Sequence, residues 1–148
     1  MIWKPNVTVA AIVERDGKFL LVEEETSQGI RFNQPAGHLE QGESLLMAVA
    51  RETLEESGYY FVPRQIVGIY RWHATAADTT YLRFAFAGEI IGYQEGCVLD
   101  QGIVRADWFT LEEVRATQAQ HRSPLILRCI EDYLAGKRYP LDLLVHYD

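Results

Sequence analysis

The chain has 148 residues, 48% of them hydrophobic, which suits one globular domain and predicts a single domain spanning 1–148. A formal charge of −7 leaves no basic stripe to follow a nucleic-acid backbone, so a polynucleotide substrate is not expected, and a small anion would need local positive charge or a metal. Cys97 and Cys129 match no zinc spacing, the N-terminus lacks the apolar run of a signal peptide, and no stretch approaches the roughly 20 apolar residues that cross a bilayer. The expectation is a cytoplasmic protein that does not engage a membrane.

In chain order, Val7 to Glu14 alternates and is valine-rich, Asp16-Gly17 signals a tight turn, and Lys18 to Glu24 resumes as a strand, which predicts an opening hairpin. Ser27-Gln28-Gly29 reads as a turn and Ile30 to Asn33 as a short extended piece. Gln34-Pro35-Ala36-Gly37 is expected to break any regular pattern. From Ser44 to Ser57 the period is helical, with Ser44 as N-cap and Gly58 as C-cap. Gln65 to His73, Thr80 to Ile91 and Ala106 to Phe109 have strand-like composition. Leu111 to Ala119 and Pro124 to Ala135 read as helices, the second capped by Ser123 with Pro124 at its first position and ended by Gly136. The mingling of strands and helices predicts a layered α/β or α+β domain.

At about 100° per residue, Leu45, Leu46, Val49, Ala50, Thr53 and Leu54 cover one half of the first helix, which is expected to face the core. Glu52 and Glu56 fall about 40° apart at the edge of that arc, with Glu55 on the other side of Glu52. Like charges at i, i+4 repel, and all three sit where the helix dipole disfavours anions; only Arg51 to Glu55 offers ordinary compensation. A divalent cation reverses both penalties, and magnesium suits a few carboxylate oxygens plus waters and substrate phosphates. The turn before the helix can bring backbone close to a ligand because Gly37 tolerates positive φ and has no side chain, so a carbonyl of Ala36 or Gly37 is a candidate ligand. Glu43, eight residues before Arg51, is expected to pair with it and brace the loop.

These residues stand in register with the motif GX5EX7REUXEEXGU, where U is a bulky apolar residue: Gly37, Glu43, Arg51, Glu52, Glu55, Glu56 and Gly58 all match. Thr53 departs from the first U position, and Tyr59 fills the second. The run Gly37 to Tyr59 therefore resembles the signature of the Nudix hydrolases. That resemblance implies an α+β fold, a mixed β-sheet between helices, and a magnesium-dependent, or alternatively manganese-dependent, enzyme that cleaves phosphoanhydride bonds. Carried onto this chain it makes Glu52 and Glu56 the principal metal ligands, Glu55 an additional ligand or water contact, and the carbonyl of Ala36 or Gly37 a backbone ligand. Glu43, Arg51 and Gly58 take structural roles.

Segments beyond the signature, among them NQPAGHLE, YLRFAFA, RSPL and GKRYPLDLL, are similar to a bacterial phosphatase branch of this family. The similarity implies release of orthophosphate from nucleoside di- and triphosphates and from hydroxymethylpyrimidine diphosphate, a thiamine precursor. The rival readings are a Nudix pyrophosphatase acting on another nucleoside diphosphate derivative, a non-catalytic nucleotide-binding sensor, and an acidic helical interaction module. The general base is open among Glu52, Glu55 and Asp100, the last in the loop Glu95 to Gly102, with Glu95 a poorer candidate. Arg83, alternating with Leu82 and Phe84, is a candidate phosphate contact, as are Arg31, Lys18 and His38. Trp72, Tyr81 and Trp3 offer stacking faces for a ring. The RSPL segment at Arg122 to Leu125 reads as a helix start without chemistry, and the oligomeric state, monomer or homodimer, stays open.

Overall fold

A computed structural model describes residues 1–148. Nine strands and three helices run in the order β1 (Asn6–Ile12), β2 (Glu14–Arg15), β3 (Lys18–Thr26), β4 (Gly29–Asn33), β5 (Ala36–His38), α1 (Leu45–Ser57), β6 (Tyr59–Ala74), β7 (Thr79–Tyr93), β8 (Ile103–Thr110), α2 (Leu111–Ala116), α3 (Leu125–Leu134) and β9 (Tyr139–Pro140). A five-stranded sheet has the order β5-β1-β7-β6-β9, with β1 and β7 parallel and the other pairs antiparallel. Strands β2, β3, β4 and β8 form a second, antiparallel sheet. The architecture is thus the expected α+β fold with a mixed sheet between helices.

Alternation along the strands divides the core between two faces. Val9, Ala11, Leu20 and Phe86 pack with Ala48 and Val49 of α1. Ile12, Leu21, Ala85 and Ala87 pack instead with Ile126, Cys129 and Ile130 of α3.

The opening hairpin forms only in part. Asp16 and Gly17, at φ 53° and 75°, make the expected tight turn, but it joins β3 to the two residues of β2 alone. Beyond Val13 the chain changes sheets, because β1 has a partner in β7 on one side and β5 on the other. The proline-containing stretch 34–37 is likewise not irregular throughout: Ala36–His38 pair with Thr8–Ala10 as an edge strand. Pro35 lies just before it, where its missing N–H costs no ladder bond.

Strands β6 and β7 run well past their expected limits, as a hairpin with bulges, one of them between Pro63 and Gln65. The proline hid the first part of β6 from a composition-based reading. Helix α1 starts and stops where its caps dictate: Ser44 Oγ accepts from Met47 N at 3.1 Å, and Gly58, at φ 80°, donates its N–H to the Leu54 carbonyl. Its buried stripe is rotated from the expected one. Ala48, Val49, Glu52, Thr53, Glu56 and Ser57 are buried, whereas Leu46, Ala50 and Leu54 are only half-buried. The rotation follows from the packing of α1 against β5, β1 and β6, which carries two carboxylates inward.

Candidate active site

At the edge strand β5 the helix glutamates meet the backbone. Glu56 Oε1 accepts from the Ala36 N–H at 2.9 Å. Glu52 packs on Gly37 so closely that a Cβ at that glycine would fall inside the Glu52 carboxylate. Gly37 does not adopt positive φ, so the conformational reason expected from the sequence is corrected: this glycine is needed for space. The loop after β7 closes the third side, with Asp100 N–H donating to the Glu55 carbonyl at 3.0 Å. One oxygen each from Glu52, Glu55 and Asp100 lies within 4.8 Å of the others. Glu56 stands outside that trio, and Glu95 does not join it.

Arg51 braces the cluster. Its Nε and Nη2 donate to the two carboxylate oxygens of Glu43 at 3.0 and 2.7 Å, its Nη1 to Glu52 at 2.8 Å and Glu55 at 3.2 Å, and its Nη2 also to the His38 carbonyl at 3.1 Å. Bidentate geometry of this kind fixes orientation as well as charge. Glu43 accepts additionally from the Glu40 N–H at 2.8 Å, and these bonds hold its carboxyl below the usual range. Arg51 thus ties Glu43 of the loop before α1 to two of the helix's acids, Glu52 and Glu55.

Burial pushes the Glu56 carboxyl up to about 9, against the opposing pull of the Ala36 N–H, with Glu24, Glu52 and Asp100 adding like-charge repulsion. Burial also raises Glu52, and Arg51 opposes it. A carboxyl raised on folding stabilises fully below its unfolded value of about 4.3, and that contribution is lost as pH climbs toward the folded value. Without metal, therefore, the unfolding free energy is expected to fall between about pH 5 and pH 9 by up to about 1.4 kcal/mol per pH unit for one group, and the melting temperature with it. Differential scanning calorimetry in chelator checks this, and a flat profile would contradict the assigned burial. A divalent cation competes with these protons, so its stabilising effect should grow over the same range.

The donor set suits such an ion. Oxygen ligands from carboxylates match magnesium or manganese, and the space left at Gly37 lets a carboxylate and strand backbone stand together. Glu52, Glu55 and Asp100, together with Glu56 and the backbone of Ala36 and Gly37, are the groups from which its ligands would be drawn.

From this acidic end a cleft of about 750 Å³ extends over the sheet face that carries α3. The register lays it out: His38, Thr8, Arg83 and Tyr70 form a row across four strands, and Asn6, Tyr81 and Trp72 form the next row on the same face. Trp72 and Tyr81 stack on each other with centroids 5.7 Å apart and an interplanar angle of 18°. The structure thus brings Arg83, Arg31, His38, Trp72 and Tyr81 into one cleft with Glu52 and Glu56. Lys18 and Trp3 are not in its wall; Lys18 pairs with Thr110 on the other sheet, and Trp3 is exposed near the N-terminus.

Some of the lining could not be read from the sequence. Arg122 and Ser123 belong to the wall, so the RSPL segment is more than a helix start. Ser123 still contributes to that start, its Oγ accepting from Leu125 N at 3.1 Å, with Pro124 as the residue flanking α3. Arg122 pairs with Glu24 at 2.8 Å, and Glu24 is the acid whose charge bears most on Glu56. Asn33 and the fully buried Gln34 complete the surroundings of Arg83. The one signal for Glu24 was its period: it shares a strand face with Thr26, which also lines the cleft.

A glutamate helix and glycine-spaced loop opening onto a cleft with cationic and aromatic walls define a hydrolase of phosphoanhydrides. The NUDIX domain family matches residues 3–129, and the chain belongs to that family of hydrolases acting on pyrophosphate bonds. Among characterised relatives it is similar to the phosphatase NudJ of Escherichia coli strain K12, with 41% identity over 143 residues covering 96% of this chain and 92% of that one. A NUDIX hydrolase from Nitrosomonas europaea is 56% identical and superimposes with a TM-score of 0.95, covering 97% of this chain and 98% of that chain. The MutT NUDIX hydrolase of Burkholderia pseudomallei, 20% identical with a TM-score of 0.74 over 88% of this chain and 98% of its own, shares the fold. No helix is long and apolar enough to cross a membrane.

Proposed function

We propose that this chain is a magnesium-dependent phosphatase that releases orthophosphate from nucleoside di- and triphosphates and from hydroxymethylpyrimidine diphosphate in the cytoplasm. The observation that carries the reading is that Glu52, whose carboxylate lies within 4.8 Å of Glu55 and Asp100 oxygens, lines together with Glu56 a cleft that also holds a stacked aromatic pair, while Glu55 and Asp100 stand behind that wall. In it, magnesium supplies charge neutralisation on the departing oxygen and acidifies a bound water. Glu52 and Glu56 would hold the ion with the backbone of Ala36 or Gly37, all four of which line the cleft. Glu55 and Asp100, less buried than Glu52 and with oxygens within 4.8 Å of its own, would take a proton from the attacking water. Arg83, Arg31 and His38 meet substrate phosphates, and the free faces of Trp72 and Tyr81 meet the ring. Similarity to a phosphatase supports the choice of orthophosphate as product.

The test incubates purified protein with magnesium and a panel of nucleoside di- and triphosphates plus the pyrimidine diphosphate, assaying orthophosphate and pyrophosphate separately. Orthophosphate release that stops with chelator is the expected result. Pyrophosphate as the sole product would replace the phosphatase by a pyrophosphatase, and ligand binding without any product would leave a sensor.

A further inference from the structure

Arg83 is buried at 6% exposure, yet no carboxylate lies within 4.0 Å of its guanidinium. Its partners are neutral amides: Nη1 donates to Gln34 Oε1 at 2.8 Å and Nη2 to Asn33 Oδ1 at 2.9 Å. Gln34 cannot turn, because its Nε2 donates to the Ile126 carbonyl of α3 at 2.8 Å, which commits its oxygen to Arg83. A buried cation without a counterion is costly, and folds ordinarily pair it. This chain spends 21 acidic residues elsewhere and gives Arg83 orientation without neutralisation.

We propose that Asn33 and Gln34 are positioning residues that hold Arg83 as a preset anion seat, which takes a substrate phosphate independently of the metal. The neutral amides fix the guanidinium plane and leave its charge for the ligand. The phosphate it receives is one that the acidic end of the cleft does not hold. Its identity as a substrate phosphate rests on the activity proposed above.

The deciding variant is Asn33→Asp. It keeps the shape of the side chain and gives Arg83 an ion-pair partner. A purely structural role for the contact predicts an equal or higher melting temperature and unchanged ligand binding. The seat predicts the same melting behaviour with weaker binding. Inorganic pyrophosphate titrated calorimetrically in chelator is the probe, with Arg83→Gln as the companion variant. About tenfold loss of metal-free affinity is expected in each, from removing one charge-assisted contact. With magnesium and a nucleoside diphosphate, Asn33→Asp should raise KM by a similar factor and leave kcat within about twofold, the pattern of lost ground-state binding. Unchanged pyrophosphate affinity in both variants would overturn the proposal. Affinity lost in both variants by a protein that hydrolyses no diphosphate would support the seat and remove the activity proposed for it.

Discussion

Replacing Glu56 by Gln is expected to lower hydrolysis by about 10²–10³-fold while making the metal-free protein more stable above neutral pH. The two effects move in opposite directions for one reason. Glu56 is buried against the Ala36 N–H, and burial pushes its carboxyl up to about 9, so at pH 8 folding holds a proton that the unfolded chain would release. Glutamine keeps the oxygen that accepts from Ala36 and abolishes the titration. What it loses is an anionic oxygen beside the acidic trio. Glu52→Gln should reduce activity comparably with less gain in stability, because Glu52 also accepts from Arg51 at 2.8 Å and that bond weakens when its charge is removed. Kinetics with magnesium and melting curves with chelator, taken on the same preparations, check both halves. If the double variant Glu52→Gln/Glu56→Gln retained activity within tenfold of the parent, these glutamates would not serve the chemistry.

The opposition between stability and function also explains which parts of the molecule were legible in the sequence. Helix α1 was, since its caps, Ser44 and Gly58, are local signals that tertiary structure did not override. The clustering of the glutamates was legible through their cost: like charges near a helix C-terminus call for a cation. Their burial was not, because a helical wheel assigns the core to the apolar arc, and here the strand Ala36–His38 covers the acidic edge instead. The short edge strand itself has three residues, one of them glycine, too few for a period to show. Arg83 could be placed on a strand by alternation, but Asn33 and Arg122 join the cleft wall through contacts 50 and 98 residues apart in sequence, and the buried Gln34 behind Arg83 is anchored to Ile126, 92 residues away. For Asp100 only its position in a loop is legible, and the bond from its N–H to the Glu55 carbonyl brings it to the cluster. What the sequence withheld was long-range register, above all that β1 pairs in parallel with β7 and so leaves the opening hairpin incomplete.

Gly37→Ala adds one methyl group and is expected to cost about 1–3 kcal/mol of stability together with about 10²-fold in hydrolysis. The backbone at Gly37 does not lie at positive φ, so alanine brings no dihedral strain. The damage is steric: the new Cβ would coincide with the Glu52 carboxylate, which must swing away from its bond with Arg51 and from Glu55 and Asp100. A purely conformational requirement for glycine and a steric one make different predictions for a second change. Glu52→Asp shortens the side chain by one methylene and withdraws the carboxylate from the space the methyl group takes. In the steric account the double variant Gly37→Ala/Glu52→Asp is more stable than Gly37→Ala alone, and a double-mutant cycle of melting free energies shows coupling above about 0.5 kcal/mol. Additive losses would instead place the requirement in the backbone. Activity need not return with stability, because the shorter carboxylate no longer reaches the position shared with Glu55 and Asp100; rescue of folding without rescue of hydrolysis would separate the room Gly37 provides from the reach Glu52 needs.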